Sequence, residues 1–374
     1  MSYVSAIGLM SGTCYDGVDV ALLNTDGESI GRLGPTGYRA YGDAERAVLR
    51  RAIAAAGNLC NREARPEALA EAEALVTTVH AEAVESYLVA NGLTAADVAV
   101  VGFHGQTVLH QPDRHLTVQL GRGAALAKRL DIPVVYDFRA ADVAAGGEGA
   151  PLVPVYHRAM VRMLDRPQPV AVLNLGGVAN ITFIDGEELV AFDIGPGNAL
   201  IDDFIRLRTG EPHDADGATA AAGTADEDSV ARVMAHPYFA RRPPKSLDRN
   251  EFRHWVAEEG RLAKKSVADG AATLTAITAA AVASAQSLLP RLPASFIAAG
   301  GGTRNPTLMR MLAERLAPAK IETAKHVGWS ADALEAQALA YLAVRSLREL
   351  PLTFPGTTGV KAPLTGGVLA RPAA

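Results

Sequence analysis

One unit occurs twice in this chain and constrains its fold most: strand, short polar turn with glycine, strand. Residues 4–10 and 18–24 read as strands around the turn 11–17, and 170–175 and 179–184 as strands around Gly176-Gly177. Apolar runs this short, closed by glycine and small polar residues, are hairpin signals. Each hairpin then leads into alternating patterns. In the first half, helical periodicity covers 44–56, 66–91 and 123–130, with short strands at 99–103, 116–120 and 133–136. In the second half a third strand covers 188–194 and a helix begins near 198. Helices follow at 228–235, 251–258 and 269–288, then a strand at 294–299 and helices at 306–316 and 331–350. Alternating β and α elements predict an α/β fold with mixed sheets, and the recurrence predicts two related halves. The chain has 374 residues, more than one core usually serves. The glycine-rich stretch after Arg139 suits a junction, which gives expected domains of 1–138 and 139–374, the final segment packing back on the first.

Composition narrows the class. Hydrophobic residues make up 49%, but 70 of the 374 residues are Ala, so the larger apolar side chains are few and elements must pack closely. With 36 Lys+Arg against 41 Asp+Glu the net charge is −5, and no basic stripe suggests nucleic acid. Two cysteines, Cys14 and Cys60, fit a reducing compartment rather than a disulfide framework. The N-terminal residues lack the features of a signal peptide. Residues 270–289 are uncharged and long enough to span a membrane, which takes about 20 residues, yet their Ala, Thr and Ser content reads as a buried helix. A soluble, cytoplasmic protein without nucleic-acid or membrane partners is expected.

Three glycine-containing turns are the places for chemistry. The first is Ser11-Gly12-Thr13-Cys14-Tyr15-Asp16-Gly17-Val18-Asp19. By composition alone it reads first as an ordinary hairpin turn. The same residues can also bring backbone N–H groups and hydroxyls to an anion, and Asp16 and Asp19 can hold a hydrated magnesium ion. The second turn joins Asn174, Gly176 and Gly177 to Phe192-Asp193-Ile194-Gly195-Pro196-Gly197-Asn198. Asp193 there is either a turn or cap aspartate, the commoner fate, or a partly desolvated general base. The third is Gly300-Gly301-Gly302 leading to Asn305-Pro306, a bare strand-to-helix turn or a flat seat for a nucleotide base. Neither a P-loop nor a dinucleotide fingerprint occurs. His104, His110 and His115 lack the spacing of a metal site. His104 reads as part of a polar loop at a strand end, suited to a sugar.

In combination these stretches resemble one family, anhydro-N-acetylmuramic acid kinase. The resemblance rests on Gly8-Leu9-Met10-Ser11-Gly12-Thr13 with Asp16-Gly17 and Asp19, on His104-Gly105-Gln106-Thr107, and on Asp137-Phe138-Arg139 with Asp142. It continues through Gly146-Gly147, Gly149-Ala150-Pro151-Leu152, Leu173-Asn174 with Gly176-Gly177, Phe192-Asp193 with Gly195-Pro196-Gly197-Asn198, and Gly300-Gly301-Gly302 with Asn305. The resemblance implies the actin, Hsp70 and sugar kinase superfamily, with two RNase H-like α/β domains around a central cleft. It implies a phosphotransferase of peptidoglycan recycling that uses ATP, with magnesium, and water. That enzyme opens the 1,6-anhydro ring of anhydro-N-acetylmuramic acid and phosphorylates O6. By the same resemblance Asp193 is the catalytic base, and ATP is held by residues 11–19, Asn174, Gly176, Gly177, Gly300–Gly302 and Asn305. The sugar is then held by His104, Gln106, Arg139, Asp142, Gly195, Asn198 and Glu335, and the protein is a homodimer. Lys245-Ser246 matches a family Pro-Lys-Ser segment without an assigned role. The sequence departs from the family pattern at Cys14 (usually serine), Glu148 (usually glutamine) and Leu247-Asp248 (usually Thr-Gly). A kinase of another anhydro- or amino sugar, or a non-catalytic nucleotide-gated sugar sensor, is the alternative.

Overall fold

A computed structural model describes residues 2–12, 15–247 and 252–372. Among the described residues the strands, in chain order, are β1 (Val4–Met10), β2 (Gly17–Thr25), β3 (Ile30–Ala40), β4 (Val100–Phe103), β5 (Gln106–Gln111), β6 (Leu116–Leu120) and β7 (Val134–Tyr136). They continue as β8 (Val170–Leu175), β9 (Val178–Asp185), β10 (Glu188–Pro196), β11 (Ser295–Ala299), β12 (Lys320–Thr323) and β13 (Val368–Ala370). The chain divides into two compact units, Met1–Leu164 with Asp332–Ala374, and Asp165–Ala331.

The two units share one topology. In the first, the sheet runs β13-β7-β4-β1-β2-β3, with β1 antiparallel to β2, β2 antiparallel to β3, and β1-β4-β7 parallel. The second runs β10-β9-β8-β11-β12, with β8-β9-β10 antiparallel and β8-β11-β12 parallel. A three-strand meander followed by two parallel crossovers is the RNase H-like arrangement. Parallel neighbours require long connections, and helices such as Glu67–Ala90, Val267–Ala285 and Pro306–Leu316 supply them.

The units part at 164/165, so residues 139–164, expected in the second half, lie with the first. Hydrogen bonds account for this placement. The Tyr156 hydroxyl donates to Gln337 Oε1 at 2.9 Å, and the Thr358 hydroxyl donates to Asp142 Oδ2 at 2.6 Å, all four groups buried.

Alanine and glycine set how closely these elements approach. The helix Leu334–Leu347 crosses the first sheet with Ala336, Ala340 and Ala343 buried. A Cβ on Gly8 would lie 1.7 Å from the Ala336 carbonyl oxygen, and one on Gly102 would lie 2.1 Å from that of Leu339. The helix backbone therefore rests directly on β1 and β4, a packing that only small residues on both sides permit.

The uncharged segment is the central helix of the second unit. Residues Val267–Leu288 are long and apolar enough to span a membrane, but most of them are buried against side chains such as Phe204, Leu308 and Leu312. Buried Thr273 and Thr275 donate to the Asp269 and Ala271 carbonyls at 2.7 and 2.8 Å, so their hydroxyls cost little in the core.

Candidate functional site

In the second unit, three glycine turns converge at the ends of β8, β10 and β11. Gly197 N–H donates to Gly177 O at 3.0 Å, Asn198 N–H donates to Gly176 O at 2.8 Å, and the Asn198 side chain donates to Leu175 O at 3.0 Å. Gly300 has φ +84°, and a Cβ there would lie 2.5 Å from Asn174 Oδ1. Only glycine fits that position without strain. Asn305 caps the helix Pro306–Leu316, its Oδ1 accepting Leu308 N–H at 2.9 Å. Of these residues Asn198 and Asn305 line a cavity of about 320 Å³, whose other walls include Asp202, His213, Asp216, Gly301 and Gly302. Asn198, expected to hold the sugar, thus lies beside the glycines expected to hold ATP.

Sequence reasoning missed one wall of this cavity, the 213–217 loop. Asp214 accepts from Thr219 and Ala220 N–H at 2.8 and 3.0 Å, and Thr307 Oγ1 donates to Gly217 O at 2.9 Å. A Cβ on Gly217 would lie 2.0 Å from Asn305 Oδ1, so the loop is fitted to the start of that helix. The signal for it was the polar run His213-Asp214-Ala215-Asp216-Gly217.

Asp193 sits at a β-bulge. It pairs with Asn180, while Gly195 pairs with Ala179, which leaves Ile194 as the extra residue. Bulges re-aim side chains and occur beside active sites. The residues 245–247 run alongside: Asp193 N–H donates to Lys245 O at 3.1 Å, and Leu247 N–H donates to Asp193 Oδ2 at 2.9 Å. A backbone donor on a carboxylate oxygen favours its ionised form and fixes its orientation. Leucine in place of the family's usual threonine keeps this bond, because it is made by the main chain. Asp248 lies outside the described residues. Gly195 is buried against Phe239, with a notional Cβ 2.8 Å from its ring, so it shapes the bulge.

In the first unit, Thr13 and Cys14 lie outside the described residues. Ser11 is 1% exposed, its hydroxyl donating to Gln106 Oε1 at 2.7 Å and lying 3.1 Å from the Tyr41 hydroxyl. Gln106 is wholly buried, and its Nε2 reaches Gly12 O at 3.3 Å. Both side chains are satisfied inside the protein and hold the turn in shape. Val18 lies in the apolar core and offers only its backbone. Gly12 and Tyr15 are partly open, with Tyr15 at φ +55°, and Asp16 is exposed, accepting Gly17 N–H at 3.1 Å. Asp19 is half-buried, and its carboxyl is pushed up to about 6 by desolvation, then by Asp16, Glu335 and Asp332. Negative charge gathered in this way suits magnesium that arrives with a nucleotide and keeps most of its water. No group of three or more His, Cys, Asp or Glu among the described residues forms a closed metal site.

The remaining expected sugar residues form a second group in this unit. Burial and then Arg139 push His104 down to about 3, so its ring is neutral. It takes the Nδ1–H form, donating to Gly105 O at 2.9 Å and accepting from Arg139 at Nε2 at 3.1 Å. Arg139 also donates to Gly149 O at 2.7 Å. Asp142, 2% exposed, accepts Gly149 N–H at 2.6 Å and the Thr358 hydroxyl. It acts by fixing the Gly146–Gly149 loop. Glu335 is exposed at the start of its helix; surrounding protein raises its carboxyl and Arg139 opposes that rise.

A family model described as anhydro-N-acetylmuramic acid kinase matches residues 4–371. The chain belongs to the anhydro-N-acetylmuramic acid kinase family. A protein of that name from Rhodopseudomonas palustris (strain BisB18) is 60% identical over 370 residues, covering 99% of this chain and 100% of the relative. Another from Azorhizobium caulinodans is 60% identical over 368 residues, covering 98% and 99%. Among solved structures, a ROK family glucokinase from Streptomyces griseus in complex with glucose and AMPPNP is 15% identical. It covers 91% of this chain and 99% of that one, with a TM-score of 0.44. The activator of the 2-hydroxyisocaproyl-CoA dehydratase from Clostridium difficile is 12% identical, covering 93% and 96% with a TM-score of 0.46. As a member of this family, the chain is a kinase that acts on a sugar with ATP.

Proposed function

We propose that this kinase opens the 1,6-anhydro ring of anhydro-N-acetylmuramic acid with water and transfers the γ-phosphoryl group of ATP to O6. It would act in the cytoplasm, as a homodimer, in peptidoglycan recycling. Asp193 takes a proton from water as the water oxygen bonds to C1. The C1–O6 bond breaks, O6 bonds to the γ-phosphorus, and the bond from that phosphorus to the bridging oxygen of ADP breaks. The products are N-acetylmuramic acid 6-phosphate and ADP, and the proton leaves from Asp193. The observation that carries this reading is the setting of Asp193, at a bulge, with Leu247 N–H on one carboxylate oxygen. An ionised and oriented carboxylate is what a general base requires.

Positioning and charge neutralisation supply the rest of phosphoryl transfer. The turns at Gly12, Gly176-Gly177 and Gly300–Gly302 offer backbone N–H groups and room for close approach to the nucleotide. Asp16 and Asp19 are the residues that would hold a hydrated magnesium ion arriving with ATP, which would offset phosphate charge. Arg139, neutral His104 and Glu335 supply donors and acceptors for the sugar, on the loop that Asp142 fixes. A coupled ADP assay across anhydro- and ordinary amino sugars tests the assignment. ADP release with anhydro-N-acetylmuramic acid well above all others supports it; equal or greater release with another sugar refutes it.

A further inference from the structure

We infer that Lys245 is a positioning residue for Asp193, its side chain pinning the segment whose main chain holds the Asp193 carboxylate. The inference rests on Asp193 being the base.

Lys245 is 2% exposed, an unusual place for an ammonium group. Its Nζ donates to the Tyr238 carbonyl at 2.9 Å and lies 4.3 Å from the Tyr238 ring centroid and 5.4 Å from that of Phe192. Both rings are within cation–π range. Phe192 immediately precedes Asp193, and the Tyr238 hydroxyl donates to the Asp193 carbonyl at 2.7 Å. The same two aromatic residues that hold the ammonium therefore border Asp193. The Lys245 carbonyl accepts Asp193 N–H, and two residues later Leu247 N–H reaches the carboxylate. Residues 245–247 lie outside the regular strands, and the buried lysine anchors them through the Tyr238 carbonyl. Burial, with Arg241, pushes the ammonium down to about 8, while the charge of Asp193 favours keeping it protonated.

Truncation of a purely structural lysine lowers the amount of folded protein. Loss of a positioning lysine lowers kcat in protein that remains folded, because a misplacement of about 1 Å can cost roughly 10²-fold. Steady-state kinetics on the full chain with ATP, magnesium and the anhydrosugar, for the natural protein, Lys245→Met, Lys245→Arg and Asp193→Asn, separates the cases. The expected result is a kcat for Lys245→Met lower by about 10- to 100-fold, both KM values within about twofold, and Lys245→Arg between the two. A natural kcat for Lys245→Met, or a loss confined to KM, overturns the inference. If Lys245→Met does not fold, Lys245→Arg decides: its larger head displaces the segment, so kcat falls at constant KM, and an unchanged kcat overturns the inference. An active Asp193→Asn overturns instead the assignment of the base on which the inference rests.

Discussion

The main-chain N–H of Leu247 donates to Oδ2 of Asp193 at 2.9 Å, across 54 residues of sequence. This bond makes the carboxylate depend on a backbone position, while the side chain at 247 packs against the core and takes no part in the bond. Leu247→Thr is expected to leave kcat within about twofold. Leu247→Pro removes the donor, at a cost of about 1.5–3 kcal/mol for a bond to a charged group, which is roughly 10- to 100-fold in rate. Initial rates at saturating ATP and sugar check both. Equal rates for the two variants would contradict the role given to this bond.

The charge of Asp19 bears on stability as well as on the proposed magnesium site. Its carboxyl is raised to about 6 from 3.8, so the folded state favours the protonated form. The sign follows: stability from this group is greatest below the unfolded value and is lost as pH rises through about 6. Asp19→Asn should therefore stabilise the protein by about 1–2 kcal/mol at pH 7.5, after allowance for solvent screening. The advantage should vanish near pH 4. Melting curves at the two values measure it, and ATP titration with magnesium should show weaker binding by the variant. An Asn variant less stable than the natural protein at pH 7.5 would contradict the charge balance described.

Gly8 and Gly12 should respond oppositely to alanine. A Cβ on Gly8 meets the Ala336 carbonyl oxygen at 1.7 Å, whereas one on Gly12 meets nothing within 4 Å. Gly8→Ala is expected to cost about 3 kcal/mol or more of stability, because helix and strand must separate. Gly12→Ala should leave stability unchanged and raise the KM for ATP. Denaturant titration with initial-rate kinetics distinguishes the two.

The Thr358 hydroxyl holds Asp142, which holds the Gly149 end of the glycine loop. Thr358→Val keeps the volume and removes the donor, leaving a buried carboxylate short of a partner at a cost of about 1–3 kcal/mol. A higher KM for the sugar with an unchanged KM for ATP is expected.

Local signals carried much of the fold. The hairpins around both glycine turns, the helices Gly123–Leu130 and Pro306–Leu316, and the buried helix beginning at Val267 were legible because each shows its own period or punctuation. β3 was not, since Gly31, Gly34, Pro35 and Gly37 break any alternation, and it forms only as an edge strand added to β2. β5 was hidden for a related reason: Gln106, read as loop, is a strand residue buried by its bond to Ser11. Residues 139–164 were assigned to the wrong side of the junction because glycine content marks a loop but not which core the next helix joins.

The site divides along the same line. Asp193 and the triple glycine stand in recognisable local runs. The bond from Leu247 to Asp193, the approach of Lys245 to Phe192, and the seating of the 213–217 loop on Asn305 join residues far apart in sequence, and no periodicity encodes them.

The most direct test of the central claim is ADP release by Asp193→Asn with saturating ATP, magnesium and anhydro-N-acetylmuramic acid, alongside ATP binding by the same protein. With Asp193 as the base, sugar-dependent ADP release falls at least about 10³-fold, within the range set by general-base catalysis, and ATP binds as in the natural protein. Turnover at the natural rate by Asp193→Asn would contradict the account.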